Sequence, residues 1–230
     1  MTAPHWLALY AGLIAAWILI WSMSTDVSLG TLIRDICITP VTSAGWVGAF
    51  AMWMVMAAAM ILPTALPAFA TYDELSRVSD SGGAVLLVLG YGIVWIFFAA
   101  MAATAQLVSS QMEVSTEPWF AALLLTAAGA YQFSSLKQAC LSQCRRPITF
   151  FMGYWDLGPL KMGLLLGEIC LGCCWALMAL GLIGGIMSLG FMALATLLMV
   201  AEKLSSGRLL TQIIGVACFM GAGFLAGGMI

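Results

Sequence analysis

Charge is what this sequence has least of: only 8% of its 230 residues are Asp, Glu, Lys or Arg, against about a quarter in ordinary soluble domains. A chain so poor in charge cannot coat a water-facing surface, and its net charge of −2 leaves no basic field for nucleic acid. Histidine is almost missing as well. His5 stands alone, which argues against bis-histidine haem and against a histidine-based catalytic centre. Low-complexity tracts, convincing internal repeats and an extramembrane domain are also absent. The seven cysteines lie in or beside apolar segments, without the even spacing of a small secreted disulfide scaffold.

What the chain has is apolar length. With 63% hydrophobic residues, it reads as an all-α polytopic transmembrane helix bundle, a single integral membrane domain over 1–230. A bilayer core of about 30 Å needs about 20 helical residues. Seven segments approach that: 6–24, 43–66, 83–106, 118–136, 160–185, 187–204 and 209–229. The fifth and sixth are separated only at Met187 to Gly190; a hairpin at Gly190 or a broken helix at Gly184 and Gly185 fits, and fusing them would give six spans. The N-terminal run MTAPHWLALYAGLIAAWILIWSMS lacks a basic leader and is longer than a signal core, so it reads as a first span.

Cytoplasmic loops carry excess Lys and Arg. Seven alternating spans put Arg77, Lys137, Arg145, Arg146, Lys161, Lys203 and Arg208 on the side of the N-terminus and only Arg34 opposite. That bias places the N-terminus in the cytoplasm. Fusing two spans would move Lys203 and Arg208 outside. The stretch 137–159 becomes a cytoplasmic amphipathic connector, with Tyr154 and Trp155 at headgroup depth. Pro63 and Pro67 distort the inner end of the second span and free backbone carbonyls.

Soft ligands collect at one depth of this arrangement. The run CLGCCWALM carries Cys170, Cys173, Cys174 and Met178, about 13 to 20 Å into the membrane for the cysteines at 1.5 Å per residue. Met52, Met56 and Met60 share a face of the second span, and Met56 and Met60 fall at a similar depth. Gly163, Gly167, Gly181 and Gly185 line the cysteine-bearing helix, and small residues admit a close neighbour, here expected to be the methionine-bearing span. Thiolates and thioethers favour Cu(I), with zinc the alternative. Cys140 and Cys144, four apart beside Lys137, Arg145 and Arg146, read as an entry or transfer pair whose thiols the cations would acidify. The bland readings are methionines that only pack, and a basic loop held to anionic lipid. Glu168 is a candidate functional acid, opposite Cys170 on its helix and expected to pair with Lys161, Lys203 or Lys137. Glu202 and Lys203 read as interfacial.

The segments YQFSSLKQACLSQCRRP, CLGCCWALM and AEKL, with MWMVMAAAMILPTALP upstream, resemble a bacterial family of uncharacterised polytopic proteins described as predicted metal-binding integral membrane proteins. The similarity covers about 45–225. It implies a multi-helix protein of the bacterial inner membrane with a metal site. The family pattern often has a histidine four residues before the first cysteine of the CLGCCW motif; here Leu166 stands there, leaving the site dependent on sulfur. Three functions follow. The leading one is non-enzymatic copper handling, by transport or by delivery to a membrane metalloenzyme or another metal chaperone. Its rivals are a membrane thiol oxidoreductase, disfavoured by a reducing cytosol, and a structural or assembly subunit.

Overall fold

Prolines open three of the helices, while others lie inside the apolar runs. A computed structural model describes residues 3–24, 41–78, 83–113, 117–183 and 189–227. Within them the order is α1 (Ala3–Ser24), α2 (Val41–Val78), α3 (Ala84–Gln111), α4 (Pro118–Gln132), α5 (Ser135–Cys144), α6 (Pro147–Tyr154), α7 (Pro159–Ala179), α8 (Leu189–Leu204) and α9 (Leu209–Gly227), with short 3-10 turns after α6 and α7. Pro118, Pro147 and Pro159 open their helices, where the missing N–H costs nothing. Ser134 caps α5, its Oγ accepting from Lys137 N at 3.1 Å. No strand occurs among the described residues.

Five of these helices, α1, α2, α3, α7 with its following turn, and α9, are long and apolar enough to cross a membrane. The other two expected spans are shorter: α4 has 15 residues and α8 has 16, about 22 to 24 Å of rise. The connector is helical. It folds into α5 and α6, and Leu141, Phe150 and Phe151 are buried. Gly190 lies inside α8 rather than at a hairpin, while Gly184, Gly185 and Met187 fall outside the described residues, as does Arg34. Ile93, Phe97, Met101, Met220 and Phe224 face outward, an apolar exterior that water would not tolerate as a large patch.

Helices α3 and α7 approach closely along their glycines. A Cβ on Gly163 would sit 2.1 Å from the Leu87 carbonyl oxygen, and one on Gly90 would sit 2.3 Å from the Leu160 carbonyl oxygen. Gly163 and Gly167 of the stripe therefore dock on α3 rather than on the methionine-bearing helix, whereas Gly181 faces Met56 and Trp53 of that helix as expected, and Gly185 lies outside the described residues. Helix α2 instead packs against α3, antiparallel, through Trp53 Nε1 to Gln106 Oε1 at 2.6 Å and Trp46 Nε1 to Thr104 Oγ1 at 3.0 Å. Helices α4 and α9 form a second close pair around Gly129 and Gly215.

Pro63 lies within α2 and cannot donate to the Ala59 carbonyl one turn back. Trp17 of α1 donates its indole N–H to that carbonyl at 3.0 Å. The proline thus makes an acceptor that a neighbouring helix uses. At the charged end of the bundle, Trp6 donates to Asp73 at 3.3 Å, Tyr72 lies against Trp155 with ring centroids 5.5 Å apart, and Gly83 lies beside Pro159. These contacts gather the start of α1, the end of α2 and the starts of α3 and α7 at one end.

Gly163→Ala should therefore break the α3–α7 contact, because the new methyl meets backbone that cannot step aside; thermal unfolding in detergent should fall sharply or folded protein be lost. Gly92→Ala, with nothing within 4 Å of its Cβ, should unfold like the unaltered chain.

Candidate metal centre

One helical turn places residues i, i+3 and i+4 on one side, so Cys170, Cys173 and Cys174 project together from α7. All three are buried, at 2%, 1% and 2% exposure. Their Sγ atoms lie within 4.8 Å of one another. Cys173 and Cys174 are 3.2 Å apart at sulfur, and the Cys173 thiol also lies 3.1 Å from the Cys170 carbonyl oxygen.

Helix α5 adds sulfur from the side. Cys144 Sγ is 3.8 Å from Cys173 Sγ. Cys140, one turn earlier, fits over Gly172: a Cβ there would stand 2.6 Å from its sulfur. That glycine is the notch in CLGCC that admits the second thiol pair. The Tyr131 hydroxyl donates to the Gly172 carbonyl, holding the same turn.

Two donors from other helices converge on Cys170. Tyr91 of α3 donates its hydroxyl to Cys170 Sγ at 3.0 Å. Lys203 of α8 brings its ammonium to 3.1 Å from the same sulfur and to 2.9 Å from Thr64 Oγ1 on α2. An ammonium offers donors only, so the Cys170 sulfur accepts. Sequence reasoning missed Lys203, Thr64 and Tyr91. The signal for Lys203 was its place in an apolar run, where a charge needs a partner.

The cations beside the second pair do not acidify it. Lys137 turns into an ion pair with Glu202 of α8 at 2.9 Å, its side chain 0% exposed and that of Glu202 2%. Arg145 donates to the Glu202 carbonyl at 3.0 and 2.8 Å and to the Gly207 carbonyl at 3.1 Å. The hydrogen bond with Cys170, reinforced by burial, pushes the Cys144 thiol above its ordinary range. Burial pushes the Cys140 thiol up as well.

Other expected site residues are placed differently. Met178 is buried on α7, and Met56 and Met60 are buried on α2. The Met56 methyl lies 3.5 Å from where a Gly181 Cβ would be, about 16 Å along α7 from Cys170 at 1.5 Å per residue. Met60 is one turn further in. Glu168 faces outward, exposed and without an ion-pair partner among the described residues, because Lys137 and Lys203 are engaged elsewhere. Glu202 is enclosed by the bundle, 1% exposed.

Truncating one partner of the Lys137–Glu202 pair leaves a buried charge alone. Lys137→Met should cost about 3 to 5 kcal/mol, and the double variant Lys137→Met with Glu202→Leu should recover most of it; a double-mutant cycle on thermal unfolding checks this.

No curated protein and no solved structure matches the chain. A family model does, over residues 50–225, and it meets the metal-related part of the resemblance drawn from the cysteine motifs. The match spans well over half of the chain. With the sulfur cluster of α5 and α7 inside the matched region, the chain belongs to the PpoB2 copper chaperone family.

Proposed function

We propose that this protein is a membrane copper chaperone that holds Cu(I) on Cys170, Cys173 and Cys174 and delivers it to a partner metalloenzyme. The observation that carries the reading is the buried trio of sulfurs within 4.8 Å. Metal-to-sulfur bonds near 2.3 Å, the value of zinc thiolate sites, put sulfurs about 4 Å apart around one ion. The trio needs only sub-ångström adjustment. Thiolates select Cu(I) among the cellular metals by softness, and the family description names copper.

Cys144 serves as a fourth sulfur and Cys140 as the approach to it. Both are half-buried, and the 3.8 Å step from Cys144 to Cys173 lets an ion gain one sulfur before losing another. Met178, Met60 and Met56 supply weaker thioether ligands leading from Cys174 toward the opposite end of the bundle. In the membrane reading, α4 and α8 complete seven spans, with the N-terminus, α5 and α6 on the cytoplasmic side of the bacterial inner membrane. Copper then enters from the cytoplasm through α5.

Purified full-length protein in detergent should retain one Cu(I) against a chromogenic Cu(I) chelator, with X-ray absorption showing sulfur neighbours at about 2.3 Å. Replacing Cys170, Cys173 or Cys174 by Ser should release the metal. Cys144→Ser should slow loading more than it weakens retention. Met56→Leu with Met60→Leu conserves volume, so stability should change by less than about 1.5 kcal/mol while onward transfer slows. Retention unchanged in the triple Ser variant would overturn the reading, and a disulfide within the trio in native membranes would replace it with the thiol oxidoreductase.

A further inference from the structure

Building on the copper reading, we infer that Lys203 is the internal counter-ion of the loaded site and sets its preference for a monovalent metal. Counting two of the three cysteines as thiolates and the third as a neutral thiol, the site loaded with one Cu(I) sums to a charge of −1. Deep among apolar helices such a complex is costly unless an opposite charge stands beside it, because desolvation penalises every uncompensated ion. The Lys203 ammonium is already there, 3.1 Å from Cys170 Sγ, and brings the sum to zero.

Three features fit Lys203 to this role rather than to a surface contact. Thr64 Oγ1 takes one of its N–H groups at 2.9 Å, fixing the ammonium on the side of Cys170 that faces α2. Its neighbour Glu202 is locked to Lys137 at 2.9 Å, so the end of α8 cannot slide away. The nearby cations are committed elsewhere, Lys137 to that carboxylate and Arg145 to backbone carbonyls. Among the described residues, Lys203 is the cation within hydrogen-bonding reach of a cysteine sulfur.

The same arithmetic predicts an exchange of specificity. Without the ammonium, a divalent ion with two thiolates is the neutral combination. Lys203→Met, which keeps most of the side-chain stem, should therefore discriminate against Cu(I) and not against Zn(II).

The experiment uses full-length protein in detergent, titrated in parallel with Cu(I) and Zn(II) against chelators of known affinity. Lys203→Met should bind Cu(I) about 100-fold more weakly, as expected for removing one member of a buried charge pair, with Zn(II) affinity unchanged or higher. Lys203→Arg should restore Cu(I) binding and Thr64→Val should cost less than Lys203→Met. A parallel fall for both metals would make Lys203 a structural tether and overturn the inference, as would unchanged or tighter Cu(I) binding. Either of those results leaves the chaperone reading standing. An unaltered chain that retains no Cu(I) removes that reading and this inference together.

Discussion

A buried ion pair organises the charged end of this molecule. Glu202 is the one acid carried into the packed end of α8, and Lys137 meets it at 2.9 Å with both side chains almost wholly enclosed. Either group alone would be a naked charge among apolar helices, so α5 and α8 are obliged to dock. Arg145 strengthens the union by closing over the Glu202 and Gly207 carbonyls. The flank of the sulfur site follows from that docking. It presses Cys140 and Cys144 against α7 and carries Lys203 to Cys170.

The second constraint is steric. Gly90, Gly163 and Gly167 bring α3 and α7 into close contact. That approach delivers Tyr91 to Cys170. Helix α2 contributes differently. Its Pro63 leaves the Ala59 carbonyl for Trp17, and its Thr64 positions the lysine. Cys170 is thus reached from α3 and α8, and through Thr64 from α2, whereas the sulfurs around it come from α7 and α5.

The helical class and the sulfur motif were legible because they depend on local pattern. Apolar runs, prolines at helix starts and the i, i+3, i+4 spacing of the cysteines need no knowledge of neighbours. The partners of the charged residues were not legible, because they depend on neighbours. Glu202 and Lys203 looked interfacial because they stand near the end of an apolar run, yet they turn inward to partners 65 and 33 residues away. Glu168 was expected to pair with Lys161, Lys203 or Lys137, yet it lies exposed on α7 while Lys137 and Lys203 turn to other partners. The connector read as an amphipathic segment at headgroup depth, while Leu141, Phe150 and Phe151 are core residues.

Sequence alone determined that the chain forms apolar helices and that Cys170, Cys173 and Cys174 share one side of one of them, since helical periodicity decides both. Only the tertiary structure decided which helix meets the glycine stripe, that Cys144 comes to 3.8 Å from Cys173, and that a lysine rather than a methionine stands over Cys170. Periodicity states which side of a helix is small, polar or soft. It does not say which other helix will cover that side, because that choice minimises buried charge and steric overlap over the whole bundle at once.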